Sequence, residues 1–361
     1  MKLNTFFLLS FLIIVSCKDK KEGYVCPPCG LECDKLSFSE PGKCPHCHMQ
    51  LVSLASLEWE TSLQLNEIKF RKGSGKYLTS GGKGHESDTI TVHYHLPEKF
   101  GTHSPVLLVI PGAGRNGDSY RDAWVEESET FGVLILSPTF PEEGYPFQDY
   151  HLGGTVELGN LRTALSYTPN SNQVVLTEEQ LVVEPIPDSE SWLFPELDRI
   201  FEEAVEVLGT GQTQYDAFGH SAGGQILHRL TLFYPQTKAQ RILAANAGFY
   251  TLPDLQSEPP FGLEGSSLTL NSLQQSLEKQ LIVLVGELDN ADETGGTLLR
   301  SHSADKQGLH RLDRGKYFYQ YGQQFASEEG IPMNWTLHIV SGVGHDHRKM
   351  GDAAAALLYE R

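Results

Sequence analysis

The sequence predicts a protein of the α/β class, with a mostly parallel β-sheet covered by helices on both faces. Three observations lead to this prediction. Short, nearly continuous apolar runs recur along the chain, as expected for strands that are buried on both faces of a parallel sheet. Segments with helical periodicity separate these runs, and strand–helix–strand connections build such sheets. A serine between two glycines, Ser221, stands where one strand passes into a helix.

Composition limits the size and the partners of the protein. The 361 residues are enough for one large domain and a small additional module. Hydrophobic residues make up 39% of the chain, which permits a sizeable core. The net charge of −18 argues against nucleic acid or anionic lipid headgroups as the main partner, and it leaves a neutral substrate open.

The amino terminus has the features of a secretion signal. Residues 6–15 are nearly all apolar, which is too short for a spanning helix and typical of a signal peptide. The segment Ile14-Val15-Ser16-Cys17 resembles the lipobox of bacterial lipoproteins. This resemblance implies that residues 1–16 are removed, that Cys17 is lipidated, and that residues 17–23 form a tether. The membrane is then a partner through the lipid anchor, and we expect a cell-envelope lipoprotein of the outer membrane, facing the periplasm or the surface. An ordinary secreted protein cleaved nearby is the alternative.

Residues 24–53 form a cysteine-rich segment that predicts a metal module. It contains two Cys-x-x-Cys pairs whose four thiolates could complete a tetrahedral site: Cys26, Cys29, Cys44 and Cys47. The segment resembles the small heavy-metal-binding domain of bacterial envelope proteins. We expect zinc in a structural role, and copper or another soft metal is the alternative. A disulfide framework is a further alternative in an oxidising envelope, although the five cysteines that include Cys33 cannot all pair.

The remaining elements are predicted in chain order over residues 61–361. Two strands are expected at 61–70 and 88–96, with a glycine-rich turn at 73–84 between them. Residues 253–276 read as irregular. Buried strands are predicted at 105–111, 132–137 and 280–285, and further strands at 214–218, 241–245 and 335–340. Helices are predicted at 118–131, 193–209, 225–233, 305–330 and 347–360.

Residues 140–191 interrupt the alternation of strands and helices. The segment is rich in Pro, Gly, Tyr and Asn, and it is too long for a plain connection. One interpretation is an insertion that lies over the strand ends, and the other is a surface decoration. The first would provide aromatic pocket walls, for which the candidates are Tyr145, Phe147, Tyr150, His151 and Trp192.

The segment Gly219-His220-Ser221-Ala222-Gly223 predicts a nucleophile elbow. In such an elbow the serine adopts a strained conformation in a tight strand-to-helix turn, and side chains two residues before and after it would collide. The helix that follows provides free N–H groups and a partial positive charge near a developing oxyanion. A glycine-rich turn without catalytic function is the alternative.

Two further loops provide partners for this serine. A serine hydroxyl needs a base to take its proton, and a carboxylate must hold that base. Asp289 follows the strand at 280–285, and His345 follows the strand at 335–340. Because the carboxyl ends of parallel strands meet at one edge of a sheet, we expect the three side chains to lie together. The alternatives are Glu287 or Asp292 as the acid and His347 as the base.

The oxyanion donors are expected from two backbone positions. The N–H of Ala222 is one, and the second should come from the loop after the strand at 105–111. There we favour the N–H of Ala113 over that of Gly114.

With these residues in place, residues 61–361 resemble an α/β-hydrolase. The run from Gly112 to Trp124 and the ending Gly342–Asp346 are most similar to polyhydroxybutyrate-depolymerase-like and esterase-like members. The resemblance implies a serine hydrolase that cleaves small-molecule or polymeric carboxylic esters through an acyl-enzyme and needs no cofactor for catalysis. A serine peptidase with the same triad, and a metal-binding lipoprotein with a non-catalytic scaffold, are the alternatives.

Overall fold

The computed structural model describes residues 23–25, 36–46, 50–54 and 63–360. The chain divides into two compact units, Met1–Leu63 and Gln64–Arg361. No helix in the described ranges is long and apolar enough to cross a membrane.

The described part of the first unit is a small antiparallel sheet. Its central strand β1 (Tyr24–Val25) pairs with β2 (Ser37–Phe38) and with β3 (Val52–Ser53). Cys44 and Leu51 are buried against Tyr24 and Phe38.

The predicted metal and lipid sites fall mostly outside the described residues. Of the four predicted metal ligands, only Cys44 is described, and Cys26, Cys29 and Cys47 are not. The signal peptide, Cys17 and Cys33 also lie outside the described residues. Among the residues that are described, no group of three or more His, Cys, Asp or Glu side chains converges on a metal position.

The second unit alternates strands and helices. Its strands are β4 (Gly73–Ser80), β5 (Thr89–Leu96), β6 (Val106–Ile110), β7 (Leu134–Thr139), β8 (Val156–Gly159), β9 (Leu165–Tyr167), β10 (Gln173–Leu176), β11 (Val182–Pro185), β12 (Tyr215–His220), β13 (Ala239–Ala245), β14 (Gln280–Gly286), β15 (Leu298–Arg300) and β16 (Thr336–Val340). Its helices are α1 (Gly117–Asp122), α2 (Val125–Phe131), α3 (Phe147–Leu152), α4 (Leu161–Ala164), α5 (Leu193–Leu208), α6 (Ala222–Phe233), α7 (Leu270–Glu278), α8 (His302–Gln307), α9 (Arg311–Glu329) and α10 (His347–Tyr359), with short 3₁₀ turns at Glu178–Gln180 and Ser189–Ser191.

Eight strands form the central sheet in the order β16-β14-β13-β12-β6-β7-β5-β4. The strands from β16 to β7 pair in parallel, and β5 is antiparallel to both of its neighbours. The carboxyl ends of β12, β14 and β16 therefore lie at the same edge of the sheet. This arrangement brings the loops that carry Ser221, Asp289 and His345 to one side of the protein.

Helices cover both faces of this sheet. Because side chains alternate along a strand, Leu108 and Ile110 of β6 join a core cluster with residues of α5, α6, α7 and α9. Leu107 and Val109 of the same strand point to the other face, where they join residues of α1 and α10. The predicted α/β class, with a mostly parallel sheet between two helical layers, is confirmed for this unit.

One predicted strand is wrong. Within the described residues 63–70 the predicted strand at 61–70 contributes only an isolated bridge, between Leu65 and Leu78. The edge strand is instead β4, in the segment that we expected to be a glycine-rich turn. Gly75 of β4 pairs with Tyr94 of β5, and a Cβ at this position would meet the Tyr94 hydroxyl. The glycine thus makes room for a cross-strand aromatic side chain.

Several helix bounds also differ from the prediction. The helix expected at 118–131 is split between α1 and α2, because Trp124 leaves helical geometry with its side chain buried against Phe218. The helix expected at 305–330 is split at Gly308, whose φ of 146° is not helical. Helix α7 occupies the end of the segment that we read as irregular.

The predicted insertion, 140–191, has secondary structure of its own. It contains α3, α4 and the strands β8 to β11, and β10 pairs in parallel with β15, which lies outside the insertion. Tyr145, Tyr150 and Trp192, three of the expected pocket walls, are core side chains with 0%, 0% and 4% exposure. Phe147 and His151 stack on one another with ring centroids 4.2 Å apart.

Candidate active site

The turn from β12 to α6 has the geometry of a strained elbow. Ser221 has φ 59° and ψ −114°, a conformation that L-amino acids rarely adopt. A Cβ at Gly219 would overlap the carbonyl of Gly223, and a Cβ at Gly223 would overlap the carbonyl oxygen of Ile110. The backbone N–H of Ser221 donates to the Ala245 carbonyl at 2.9 Å. The turn therefore requires both glycines and presents the serine beyond the end of β12.

Asp289 and His345 form a hydrogen-bonded pair at the same edge of the sheet. The Asp289 Oδ2 lies 2.7 Å from the His345 Nδ1. The Asp289 side chain is 1% exposed and that of His345 is 5% exposed. A buried carboxylate on Nδ1 leaves Nε2 to accept a proton and stabilises the imidazolium that then forms.

The other oxygen of Asp289 binds a buried arginine. Arg311 is the first residue of α9, and its Nη1 lies 3.0 Å from Asp289 Oδ1. Its Nη2 donates to the Thr297 carbonyl at 2.8 Å. The carboxylate therefore has a cation on one side and the imidazole on the other, so its charge is compensated without solvent.

Glu293 fixes the backbone of the histidine loop. Its carboxylate accepts hydrogen bonds from the N–H groups of His345 and Gly295, each at 2.7 Å. Burial alone would raise the pKa of Glu293, but these two hydrogen bonds outweigh it and hold the pKa below its ordinary value. A Cβ at Gly344 would overlap the Glu293 carboxylate, which explains the glycine before the histidine.

A second histidine packs beside the pair. The His220 ring lies 4.4 Å from the His345 ring, measured between centroids, and its Nδ1 is 3.2 Å from the Tyr120 hydroxyl. Burial, followed by the nearby charges of His345, His347 and Arg311, holds the pKa of His220 well below its ordinary value. His220 is therefore neutral and places no additional charge beside the base.

The alternative acid and base residues have other environments. Glu287 accepts hydrogen bonds from the Ser341 hydroxyl and the Gly342 N–H. Asp292 is exposed and accepts no hydrogen bond from a histidine in the described ranges. His347 stacks on Tyr120 at 4.4 Å, and its Nε2 is buried without a partner among the described residues. Among the three predicted acid candidates, Asp289 is the one that contacts His345.

Two backbone N–H groups are free near the serine. Neither Ala222, the first residue of α6, nor Ala113 donates its N–H in a hydrogen bond within residues 63–360. Gly112 is close to the nucleophile, because a Cβ on it would lie 3.4 Å from the Ser221 Cβ. The predicted oxyanion donors therefore come from segments adjacent to Ser221.

The hydroxyl of Ser221 is not hydrogen-bonded to His345 in the structure, as judged over residues 63–360. In unliganded enzymes this contact is often long and tightens only when substrate binds. The elbow and the Asp–His pair are thus formed in the structure.

The insertion contributes to the site by supporting the loop at Gly112–Gly114. The Tyr150 hydroxyl donates to the Pro111 carbonyl at 2.8 Å. The Arg115 guanidinium packs on the Tyr150 ring at 4.4 Å and donates to the carbonyls of Phe140 and Tyr145. The buried aromatic side chains of the insertion therefore hold the loop of a predicted oxyanion donor.

The insertion also reaches the segment beside the histidine. Asn172 donates to the Gly296 carbonyl at 3.0 Å and accepts from the Leu298 N–H through its own carbonyl. A Cβ at Gly296, whose φ is 62°, would lie 2.7 Å from His345 Nε2. The Gly296 backbone consequently forms one wall next to the nitrogen that would exchange protons with Ser221.

Sequence reasoning missed the roles of the residues that support this site. Arg311 and Glu293 belong to no motif, and their partners are set by tertiary packing. Tyr150 is a candidate pocket wall from the sequence, whereas in the structure it supports a loop. Two other supporting residues lie within the predicted motifs, but the motifs assign them no role. They are His220, in the glycine–serine motif, and Tyr120, in the run from Gly112 to Trp124.

Comparison with solved structures identifies the family. Poly(aspartic acid) hydrolase-1 from Sphingomonas sp. KT-1 is 32% identical, with a TM-score of 0.68, over 81% of this chain and 100% of that chain. The chain belongs to the α/β-hydrolase family of that enzyme. This α/β-hydrolase is also similar to LpqC, a poly(3-hydroxybutyrate) depolymerase from Bordetella parapertussis. LpqC is 28% identical, with a TM-score of 0.68, over 80% of this chain and 90% of that chain.

The match confirms the predicted enzyme class, a hydrolase of the esterase type. No protein-family model matches this α/β-hydrolase, and no curated protein sequence matches it.

Proposed function

We propose that the protein is a serine hydrolase that cleaves carboxylic esters with Ser221, His345 and Asp289. The observation that carries the proposal is the 2.7 Å hydrogen bond between the buried Asp289 carboxylate and His345 Nδ1, at the sheet edge where Ser221 follows β12. A bond of this kind orients an imidazole as a general base.

In the proposed mechanism Ser221 Oγ attacks the ester carbonyl while His345 Nε2 takes its proton. Asp289 holds the imidazole and stabilises its cation. The N–H groups of Ala113 and Ala222 stabilise the oxyanion, and each such donor is typically worth about 3 kcal/mol of barrier. His345 then returns the proton to the leaving alcohol, and water activated by the same histidine releases the acid from the acyl-enzyme.

The substrate is proposed to be a small-molecule or polymeric ester. One similar structure is a depolymerase of poly(3-hydroxybutyrate), which is a polyester. A second candidate is amide hydrolysis by the same triad, which the 32% identity to a poly(aspartic acid) hydrolase favours because poly(aspartic acid) is joined by amide bonds. Both reactions use the same nucleophile and base.

Paired ester and amide substrates test the proposal and separate the two candidates. We expect turnover of p-nitrophenyl acyl esters that falls by roughly 10³-fold or more in Ser221→Ala. The matching p-nitroanilides measure amide cleavage on the same acyl groups. Equal ester turnover by the wild type and Ser221→Ala would reject Ser221 as the nucleophile, and cleavage of anilides alone would favour the amide hydrolase.

We further propose that the protein is a lipoprotein of the cell envelope, acylated at Cys17, with zinc or another soft metal bound by Cys26, Cys29, Cys44 and Cys47. The lipobox-like sequence and the two Cys-x-x-Cys pairs support these proposals. Four thiolates would leave the metal no open position, so its role would be structural. Release of Cys17→Ser from the membrane fraction, and loss of bound zinc in Cys44→Ser, are the expected results.

A further inference from the structure

The end of β13 contacts all three loops that carry the proposed triad. Strand β13 lies between β12, which ends at the nucleophile, and β14, which leads to the acid. The Ala245 carbonyl accepts the N–H of Ser221 at 2.9 Å. The next residue, Asn246, is fully buried and directs its side chain towards the other two loops.

The Asn246 amide bridges the acid loop and the histidine loop. Its Oδ1 accepts the N–H of Gly286 at 2.8 Å, and its Nδ2 donates to the Gly344 carbonyl at 3.1 Å. Gly286 accepts the N–H of Asp289, and Gly344 directly precedes His345. One planar amide therefore links the backbone beneath the carboxylate to the backbone beneath the imidazole.

The chemistry of this position is specific for asparagine. One partner is a donor and the other is an acceptor, so a side chain needs an acceptor and a donor on the same short branch. The backbone φ of 46° is left-handed, a region that asparagine tolerates better than most residues. The backbone N–H of Asn246 also donates to the Leu284 carbonyl at 2.9 Å, which anchors the residue to β14.

We propose that Asn246 is a positioning residue of the proposed catalytic site, which holds the His345 loop at the height where the imidazole contacts Asp289 and can take the Ser221 proton during the reaction. The inference rests on the proposed function. Its bridge fixes the distance between two loops whose side chains must meet within hydrogen-bond length. A displacement of about 1 Å in such a site can reduce the rate by roughly 100-fold.

Two substitutions test the bridge. In Asn246→Gly the glycine can adopt the left-handed backbone conformation, and both side-chain hydrogen bonds are removed. Asn246→Asp keeps the acceptor for the Gly286 N–H but places an anionic oxygen against the Gly344 carbonyl. Matched controls are Asn160→Gly and Asn160→Asp, because Asn160 also has a positive φ, of 62°, and its side chain makes no hydrogen bond within residues 63–360.

At neutral pH we expect kcat for an ester to fall by roughly 10-fold to 100-fold in both Asn246 variants, with KM within about twofold of the wild type. The Asn160 variants should match the wild type in both constants. Rates are expressed per folded molecule, with the folded fraction measured by circular dichroism. Wild-type kcat in both Asn246 variants would overturn the proposal.

The pH dependence distinguishes positioning from general destabilisation. In the Asn246→Asp variant, the new carboxyl group can donate to the Gly344 carbonyl when it is protonated, as the amide does, and burial favours the protonated form. The ratio of Asn246→Asp to wild-type activity should therefore rise as the pH falls. A ratio that stays constant with pH would contradict the bridge.

A proton resonance separates failure of this inference from failure of the proposed function. The His345–Asp289 hydrogen bond should give a downfield proton signal in the wild type, which needs no turnover to be observed. We expect that signal to be shifted or lost in Asn246→Gly and retained in Asn160→Gly. An unchanged signal in Asn246→Gly refutes the positioning role, whereas a wild type with the signal but no ester turnover refutes the proposed function alone.

Discussion

At the scale of single residues, Asp289 shows how a buried charge is stabilised at the candidate site. One oxygen contacts Arg311 at 3.0 Å and the other contacts His345 at 2.7 Å. An ionised carboxylate with 1% exposure would be very costly without such partners. Arg311 therefore compensates the charge of Asp289 independently of His345.

Removing that arginine should cost much more stability than removing an exposed ion-pair partner. We expect Arg311→Gln to lower the free energy of unfolding by about 3 kcal/mol, because Asp289 stays buried without its cation. Lys238→Gln, which breaks the exposed pair with Glu202, is the control and should cost less than about 1 kcal/mol. Urea denaturation of the three proteins measures both values, and equal losses would show that Arg311 does not compensate Asp289.

The pKa of Asp149 in α3 predicts a pH-dependent stability of the insertion. Burial raises this pKa from 3.8 to about 6, against the opposing charges of His85 and Arg115. Because the folded state holds the proton more tightly than the unfolded chain, stability is lost as the pH rises from about 4 to about 6. Asp149→Asn removes the titration and should raise Tm above pH 6, with no gain below pH 4.

The control for Asp149 is Glu179→Gln, which alters an exposed carboxylate of the same insertion. Its Tm difference from the wild type should not change over that pH range. A Tm gain in Asp149→Asn that is equally large at pH 4 and pH 7 would contradict the assigned cause.

At the scale of elements, the buried strands of the central sheet were predictable from the sequence, and its edge strand β4 was not. Strands such as β6 and β14 are continuous apolar runs that only a doubly covered sheet accommodates. Strand β4 has the sequence Gly-Ser-Gly-Lys-Tyr-Leu-Thr-Ser, whose glycines are typical of a turn. Its strand character depends on a partner, because Gly75 is required by the Tyr94 ring across the ladder. No local pattern contains that information.

Helix α7 was missed although its start carries a local signal. Thr269 and Ser272 form a capping box, in which each side chain accepts from the other's backbone N–H. Ser272 occupies the third helical position, where a capping box usually has Glu or Gln, so the sequence signal of the box was weaker. The segment before it has no regular structure, and it obscured the start of the helix.

The link between the insertion and the loop at Gly112–Gly114 can be tested at Tyr150. Tyr150→Phe removes the hydrogen bond to the Pro111 carbonyl and leaves the ring under Arg115. We expect a loss of about 1 kcal/mol in unfolding free energy. We also expect a lower kcat with little change in KM, because the loop would carry an oxyanion donor that acts mainly in the transition state.

Tyr167→Phe, at a tyrosine that is 77% exposed in the same insertion, is the control for that measurement. Steady-state kinetics and thermal unfolding of both variants provide the comparison. An increase in KM at constant kcat in Tyr150→Phe would instead place the ring in the substrate-binding pocket and contradict its role as a support.

At the scale of the whole molecule, the candidate site combines what the sequence predicts with what only packing determines. The order of Ser221, Asp289 and His345 on loops after parallel strands predicts that they share one edge of the sheet. The residues that hold these side chains in place lie on other elements and act through hydrogen bonds to the backbone or to Asp289; they are Arg311, Glu293 and Asn246. Their roles follow from three-dimensional contacts and have no periodicity or spacing to reveal them.

The division of the chain into two units predicts that hydrolysis is independent of the cysteine-rich segment. The clusters on the two faces of the sheet contain residues of the second unit, and Cys44, Leu51, Tyr24 and Phe38 form a separate cluster in the first. A chain that begins at Gln64 should therefore fold alone and hydrolyse esters with kcat/KM within about twofold of the full chain.

A chelator should leave the activity of both proteins, the full chain and the chain that begins at Gln64, unchanged, because the proposed mechanism uses no metal. Assays of the two chains with and without chelator provide the measurement, and loss of activity on truncation or chelation would show that the first unit contributes to catalysis.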